Sequence, residues 1–479
     1  MSTRPAARIH PDVWRISLVV VVGAIMSILD TTIVNVALDS LSRDLHSPLS
    51  DIQWVATGYM LALAAVIPVS GWAAEKVGPR RLWIGSVILF TLGSALCGAA
   101  WSTGSLIVFR ILQGLGGGMI MPIGQMVLAR AAGPQQMGRV MGVIGVPMIL
   151  APVFGPTIGG LLVEHLGWRW IFYVNLPIGI IGVALALRFL PALRRHEVPS
   201  FDRLGFGLLA TGVPLLVYGL AEVGQKGGID HAAAYGPVLA GLALIAMFVV
   251  HALRAAAPLL DVRLYLNRAF SAASLTTFTV GAGLFGAMII MPLYFQLVRG
   301  EDAVHTGLLL MPQGIGAAVA MPLAGRIADR IGGGRVALAG LFVTLLATVP
   351  FALIGAQTSF WLIAAAMVAR GFGIGMTMMP AMSAAYAALS PSDIAHATPQ
   401  LNVVQRVGGA VGTALLTVVL ENGISARAPA DIAPAFAHTY LWVFAVTAVA
   451  LAPALLLARV ESRRRAAAGA GVSPEPAGA

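Results

Sequence analysis

The stretch ISLVVVVGAIMSILDTTIVNVAL, residues 16–38, is apolar throughout except for a few small polar side chains and one carboxylate, Asp30. A transmembrane helix needs about 20 consecutive, mostly apolar residues, so this stretch predicts a membrane span. A carboxylate at the centre of such a span costs about 2.5–3.5 kcal/mol even on insertion scales. Asp30 is therefore expected to have a function or a partner.

The composition of the whole chain agrees with a membrane protein. Of 479 residues, 58% are hydrophobic and 10% are charged, whereas about 25% are charged in ordinary soluble domains. The mean hydropathy is +0.87. These values indicate a polytopic membrane protein, and the net charge of +10 is attributed to its loops rather than to nucleic-acid binding. The single cysteine, Cys97, excludes an internal disulfide.

Hydropathy predicts fourteen membrane helices, so the expected fold class is an all-α polytopic membrane protein. The predicted helices lie near 14–37, 52–72, 81–100, 104–127, 138–163, 168–190, 203–221, 235–253, 270–298, 305–325, 336–355, 360–388, 399–421 and 438–459.

The distribution of Lys and Arg predicts the topology. With both termini in the cytoplasm, 22 of the 30 basic residues fall in cytoplasmic segments and 5 outside. The remaining three, Arg110, Arg370 and Arg406, lie within predicted helices. This strong bias over short loops follows the positive-inside rule, and removing one helix would destroy it.

Two loops indicate an internal repeat. GWAAEKVGPRR (71–81) joins helices 2 and 3, and GRIADRIGGGR (325–335) joins helices 10 and 11. Each is followed by a pair of helices, the second of which starts with an embedded Arg and a Gly/Met/Pro run, FRILQGLGGGMIMP (109–122) and ARGFGIGMTMMP (369–380). Two related halves with a site between them are typical of rocking transporters. The predicted parts are a cytoplasmic segment 1–13, a six-helix half 14–190, two inserted helices 203–253, a second half 270–459 and a disordered tail 460–479.

The repeated loops predict a gate. A Gly-rich turn allows two helix ends to approach closely, and the acids and bases can then form ion pairs that hold the inner side closed. An alternative is that they are ordinary positive-inside loops, but two copies at matching positions argue against it. The predicted gating residues are Gly71, Glu75, Lys76, Arg80, Gly325, Asp329 and Arg330.

These motifs together resemble the major facilitator superfamily, in particular drug:proton antiporters of the fourteen-helix EmrB/QacA-like branch. The resemblance covers helices 1–14 and is carried by LDTTIVNVAL (29–38), GWAAEKVGPRR (71–81), RILQGLGGG (110–118), GVPMILAPVFGPTIGG (145–160) and WRWIFYVNLPIG (168–179). The chain departs from the family pattern in its first loop, where Glu75 replaces the usual Asp and Pro79 stands where many members have Arg.

The resemblance implies roles for several residues. Asp30 would be the protonation site, Arg110 would take part in proton coupling, and the loop motif would gate the cytoplasmic side. The antiporter motif of helix 5, a Gly/Pro kink tied to export, is matched by Gly155, Pro156, Gly159 and Gly160.

The residues themselves are compatible with this assignment. Asp30 and Arg110 are predicted at a similar depth, roughly 10 Å below the outer surface at about 1.5 Å per residue, so they can form an ion pair if their helices face one cavity. Asp30 is the only acid well inside a predicted helix. The alternative is a permanent structural Asp–Arg pair without a transport role.

Candidate substrate contacts are polar side chains within apolar helices, which need partners when buried. They are Tyr59, Gln113, Tyr294, Gln313 and Asn402. The Gly-rich LGGGM stretch lies within a predicted helix and follows no strand, so it is not a nucleotide loop. No Walker sequence or metal-ligand spacing of His is present, so no cofactor and no metal are expected, and no catalytic constellation indicates an enzyme.

The sequence therefore predicts a proton-driven exporter of amphipathic or cationic drugs in the cytoplasmic (inner) membrane of a bacterium. One alternative is export of an endogenous lipid or metabolite on the same scaffold. Another is an accessory membrane protein that has lost transport. The expected partners are small amphipathic substrates, protons and membrane lipids, with no nucleic acid; the protein is expected to be a monomer, and no feature decides whether a periplasmic adaptor exists.

Overall fold

Long helices make up almost all of the chain that the structure describes. The computed structural model describes residues 10–133, 136–191, 200–225, 228, 232–428 and 431–469. Most of the predicted N-terminal segment, part of the linker before the inserted helices and the last ten residues of the predicted tail lie outside these ranges. Within the described residues every regular element is helical.

We number the long helices α1 to α14 in chain order. They are α1 (Pro11–Asp44), α2 (Leu49–Val66), α3 (Pro79–Gly98), α4 (Thr103–Ala132), α5 (Met137–Leu166), α6 (Asn175–Phe189), α7 (Arg203–Gln225), α8 (Ala232–Arg254), α9 (Arg268–Leu293), α10 (Ala303–Ile331), α11 (Gly333–Ala352), α12 (Phe360–Ala387), α13 (Ile394–Ser425) and α14 (Ala433–Gly469). The path of α2 continues through Ile67–Val69 and Ser70–Val77, a short helix at Trp170–Tyr173 precedes α6, and a π-helical turn, Tyr294–Val298, ends α9.

The helix count agrees with the fourteen predicted from hydropathy. Thirteen helices are long and apolar enough in their described residues to cross a membrane. Helix α5 has 30 residues and would be the fourteenth; its described apolar part, Met137–Val146, is shorter only because several of its side chains lie outside the described part. The chain is therefore a multi-pass membrane protein.

Two helices extend furthest beyond their predicted ends. Helix α1 continues past the apolar run to Asp44, where Trp168 donates a 2.9 Å hydrogen bond to the Asp44 carboxylate. Helix α14 continues to Gly469, so residues 460–469 are helical rather than part of a disordered tail. Glu461 explains this extension, since its carboxylate accepts hydrogen bonds from the first amides of α11, at 3.1 and 2.7 Å.

The internal repeat is visible in the packing. In the first half, α1 packs on α5, α2 and α3 pack on α4, and α6 contacts α1 and α3. In the second half, α9 packs on α13, α10 and α11 pack on α12, and α14 contacts α9 and α11. Helices α9–α14 therefore correspond one by one to α1–α6.

The two seams between the halves differ. Helix α5 packs directly against α10, and the equivalent helices α13 and α2 meet mainly where α2 continues beyond Ile67. The inserted helix α7 contacts both α2 and α13, and the rings of Trp54 in α2 and Tyr218 in α7 are stacked at 5.8 Å. The insertion therefore covers one seam.

Candidate functional site

The structure brings Asp30 of α1 and Arg110 of α4 into direct contact. Arg110 Nη1 donates to Asp30 Oδ2 at 2.6 Å, and both side chains are almost completely buried, at 0% exposure for Asp30 and 1% for Arg110. Charge-assisted hydrogen bonds of this kind are short and strong. The ion pair solves the problem posed by a carboxylate in an apolar helix, because each charge neutralises the other.

Two amides complete the shell around the carboxylate. Gln113, one turn after Arg110, donates to Asp30 Oδ1 at 2.9 Å, and Asn175 at the start of α6 donates to the same oxygen at 3.0 Å. Asn175 also donates to the Ser94 hydroxyl of α3 at 3.1 Å. We call Asp30, Ser94, Arg110, Gln113 and Asn175 the Asp30 cluster; it joins α1, α3, α4 and α6.

Arg110 has further contacts that do not involve the carboxylate. Its Nη1 donates to Gln113 Oε1 at 2.9 Å, and its Nε donates to the Val55 carbonyl of α2 at 3.1 Å. Its guanidinium carbon lies 4.1 Å from the centre of the Tyr59 ring, a cation–π distance. These contacts would hold Arg110 in place if Asp30 became protonated.

Small residues bring the helices of the cluster close together. A Cβ on Gly93 of α3 would lie 2.8 Å from Gln113 of α4, and one on Gly114 would lie 2.6 Å from the Tyr59 carbonyl of α2. Only glycine permits such an approach between helix backbones. A Cβ on Gly116, within the LGGGM stretch, would lie 2.6 Å from the Phe90 amide of α3, so this stretch is a packing surface within a helix.

The predicted antiporter motif packs on α1 beside Asp30. A Cβ on Gly155 would lie 2.0 Å from Thr32 Oγ1, and one on Gly159 would lie 3.2 Å from the Ile33 carbonyl oxygen. At Gly160 the nearest atom would be 4.0 Å away, on Val36. The Pro156 side chain lies outside the described part of the chain. Gly155 and Gly159 thus contact α1 within a turn of the carboxylate.

The predicted gating loops lie together at one end of the bundle, which we call the loop end. A Cβ on Gly71 would lie 2.1 Å from the Ala395 carbonyl of α13, and one on Gly325 would lie 2.4 Å from the Gly138 carbonyl of α5. Asp329 accepts from Arg139 Nε at 2.7 Å and from the Gly138 amide at 2.9 Å, across the two halves. The halves are therefore in contact at this end, through an ion pair in the second copy of the motif.

The other loop residues make contacts within their own half. Glu75 pairs with Arg130 of α4 at 3.1 Å, and the Lys76 ammonium lies 4.7 Å from the Trp72 ring. Arg80 donates to the Leu187 carbonyl of α6. The Arg330 carbonyl accepts from Arg465 of α14 at 3.0 Å. The charged side chains of the first copy thus brace their own half, whereas Asp329 of the second copy forms an ion pair with the other half.

The five candidate substrate residues have their contacts at several separate places in the bundle. Tyr59 and Gln113 belong to the surroundings of Arg110, and Gln313 accepts from Arg370 at 3.1 Å. Asn402 of α13 donates to Gln125 of α4 at 2.8 Å, between the halves. Tyr294 donates to the Gly355 carbonyl at 2.7 Å and packs in an aromatic cluster with Phe436.

Sequence reasoning missed two members of the cluster. Asn175 had a usable signal, because it is a polar residue in the apolar stretch YVNLPIG (173–179) and needs a partner as Asp30 does. Ser94 had none, since a serine in a membrane helix commonly bonds its own backbone. Among the described residues no group of three His, Cys, Asp or Glu side chains could hold a metal ion.

Comparisons with known proteins agree with the fold. The sequence profile of the Major Facilitator Superfamily matches residues 20–413. The chain is 41% identical over 425 residues to the "Multidrug resistance protein B homolog" of Mycobacterium tuberculosis, covering 87% of this chain and 79% of the relative. It is 32% identical over 431 residues to the "Uncharacterized MFS-type transporter YcnB" of Bacillus subtilis, covering 90% of this chain and 91% of the relative.

Solved structures show the same fold at low sequence identity. The human organic anion transporter MFSD10 is 17% identical with a TM-score of 0.61, over 91% of this chain and all of that one. The proton:xylose symporter XylE is 15% identical with a TM-score of 0.62, over 92% of this chain and 94% of that one.

Proposed function

This chain belongs to the Major Facilitator Superfamily of transporters, and we propose that it is a proton-coupled exporter of amphipathic compounds. The proposed substrates are drug-like and toxic molecules, lipophilic and cationic ones included. The proposed location is the cytoplasmic membrane of a bacterium with both termini inside, which the bias of Lys and Arg supports. Multidrug resistance among relatives supports the substrate class.

The observation that supports proton coupling is the burial of the Asp30 carboxylate and its hydrogen bonding. Asp30 is the only acid among the described residues that is buried in the middle of a membrane helix, and its carboxylate accepts three hydrogen bonds. Intramembrane carboxylates of this kind commonly mark proton pathways. A carboxylate with 0% exposure can exchange its proton only after the surrounding helices move, which links protonation to the conformation of the bundle.

The cluster offers a place for the coupling proton. Asn175 Oδ1 is buried and has no hydrogen-bond partner among the described residues. If Asp30 accepts a proton, rotation of the Asn175 amide would present this oxygen to the new O–H group. Arg110 would keep its bonds to Gln113 and to the Val55 carbonyl. Protonation would thus weaken the contact between α1 and α4, and the rotation would give up the Asn175 bond to the Ser94 hydroxyl.

The proposed transport cycle depends on protonation and deprotonation of Asp30. One orientation of the central cavity is favoured by protonated Asp30, and the other by ionised Asp30 together with bound substrate. The contacts at the loop end would break and form between the two orientations. The proton gradient and the membrane potential supply the energy, the latter at about 2.3 kcal/mol per charge per 100 mV. No cofactor and no obligatory protein partner enter this proposal, and the proposed transporting unit is a monomer in contact with membrane lipids.

A transport assay tests the proposal. The purified full-length protein is reconstituted into liposomes, and a panel of amphipathic dyes is offered under an imposed pH gradient. Uphill movement of a dye is expected, and it should stop when nigericin collapses the gradient. Dye movement that is independent of the gradient, with the protein correctly inserted, would contradict proton coupling.

A further inference from the structure

Arg370 of α12 is a buried cation with no carboxylate partner among the described residues, and only 3% of the residue is exposed. Its Nη1 donates to Gln313 Oε1 at 3.1 Å, and its Nη2 lies at 3.5 Å from the Gly283 carbonyl, a long and weak contact. Its Nε has no partner among the described residues. Arg110, the corresponding arginine of the first half, has Asp30 instead.

A small cavity adjoins Arg370. It is lined by Thr279 and Gly283 of α9, Thr344 of α11, Arg370 and Thr377 of α12, and Thr447 of α14, together with apolar side chains. These four helices correspond through the repeat to α1, α3, α4 and α6, which surround the Asp30 carboxylate. The second half therefore has an arginine and a cavity where the first half has an arginine and an acid.

The physical chemistry of this cavity favours an anion. An arginine buried without a counter-charge is costly, and an opposite charge in a weakly screening interior is attracted strongly. The neutral threonine hydroxyls provide no counter-charge, and those of Thr344 and Thr447 already donate to carbonyls of their own helices at 2.8 Å. The unused Nε–H of Arg370 is the available donor.

The size of the cavity limits the ligand. Its volume of about 20 Å³ exceeds the roughly 10–15 Å³ that one water molecule needs. A single halide ion or the end of a carboxylate group fits, whereas a whole drug-sized molecule does not.

We propose that Arg370 and this cavity form a binding site for a small anion, either a free halide ion or the carboxylate group of an acidic substrate. The bound anion takes the part that Asp30 has in the first half and neutralises the second buried arginine. Halide binding does not depend on the proposed proton coupling. Carboxylate binding would deepen the proposed function, since it would make acidic amphipathic compounds substrates.

Thermal unfolding of the full-length protein in lipid nanodiscs tests the site. At constant ionic strength, sodium methanesulfonate, whose anion is neither a halide nor a carboxylate, is replaced by sodium chloride or by sodium benzoate. We expect a saturable rise in Tm of about 2 °C or more with the bound anion. Chloride alone giving the rise identifies a free ion, and benzoate competing with chloride identifies a carboxylate site. No rise with either anion would overturn the proposal.

Three variants locate the effect. Arg370→Gln should abolish the anion-dependent rise, and it should unfold no earlier than the parent in methanesulfonate, because an unpaired charge has been removed. Gly283→Ala adds a methyl group at ordinary contact distance, 3.7 Å from Thr447 Oγ1, so the variant should fold. Because the methyl group fills part of the cavity, the anion concentration that gives half of the Tm rise should increase at least tenfold. Arg406→Gln, which removes another arginine of the second half, is the control and should keep the effect.

The same variants decide whether the anion acts at Arg370. An unchanged anion effect in Arg370→Gln would contradict the assignment to this site. Equal loss in Arg406→Gln would show that a general charge effect is responsible and would also overturn it. Proton-driven dye transport is measured beside the Tm, so failure of the anion site and failure of the proposed function are seen separately.

Discussion

The substitution Asp30→Asn tests the proposed coupling site most directly. Asparagine keeps the size of the side chain but cannot bind and release a proton. Its amide has one acceptor oxygen, whereas the carboxylate accepts from Arg110 at 2.6 Å, from Gln113 at 2.9 Å and from Asn175 at 3.0 Å. Rotation of the Asn175 amide can satisfy the new NH₂ group through Asn175 Oδ1, which has no partner among the described residues.

The main cost of the substitution comes from Arg110. Its guanidinium remains 1% exposed and loses its counter-charge, and breaking a buried pair in this way costs about 3–5 kcal/mol. Its bonds to Gln113 and to the Val55 carbonyl, and its stacking on Tyr59, remain. We therefore expect a folded protein with a clearly lowered Tm and no uphill transport.

Loss of stability alone does not separate proton coupling from a structural ion pair. The double variant Asp30→Asn with Arg110→Gln does, because it removes both charges together and should recover most of the lost Tm. If the pair is only structural, uphill transport should recover as well. If Asp30 carries the coupling proton, transport on a pH gradient stays absent in the stabilised double variant. A stable variant lacking the acid that still drives substrate uphill would refute the reasoning.

Three further predictions concern topology, packing and pH. In a Cys97→Ser background, single cysteines at positions 48 and 228 should be labelled from outside and one at position 198, which lies beyond the described residues, only from inside; outside labelling at 198 would overturn the topology. Gly159→Leu should lower efflux at least tenfold by separating α5 from α1, whereas Gly160→Ala, whose Cβ has 4.0 Å of space, should not; equal efflux in both would exclude a role for this contact. Burial opposes ionisation of Asp202, but hydrogen bonds from the Gly205 and Leu259 amides and from His251 outweigh it and hold its pKa below the usual range. The stability from Asp202 is thus present above the usual carboxyl pKa of about 4 and lost as pH falls through the lowered value, so Tm profiles of the parent and of Asp202→Asn should converge in acid.

Much of the fold follows from the sequence because the membrane imposes a simple rule. A backbone in hydrocarbon must satisfy its own hydrogen bonds, so long apolar runs become helices. Two loop motifs predict the repeat, and the helix contacts of the two halves match each other. The ends of α1 and α14 could not be predicted, because contacts of Asp44 and Glu461 with distant parts of the chain extend both helices.

The candidate site was predictable only in part. Asp30 and Arg110 stand out because isolated charges in apolar helices need an explanation, and Asn175 could have been found in the same way. Sequence spacing did not reveal that the two loop motifs differ, with Glu75 bonded inside its half and Asp329 bonded across the halves. The difference arises from the packing of the helices, which places Arg130 of the same half beside Glu75 and Arg139 of the other half beside Asp329.

The inserted helices give the two seams between the halves different mechanical properties. At the seam between α5 and α10, small residues of the two helices are in direct contact, as the approach of Gly138 and Gly325 shows. At the seam between α2 and α13, apolar side chains of α7 pack in one cluster with Ala64 of α2 and with Val403 of α13. Helix α7 packs more extensively against α13 than against α2. If the halves rock against each other, α7 and α8 should therefore move with the second half, and the sliding surface at this seam should be the contact between α7 and α2.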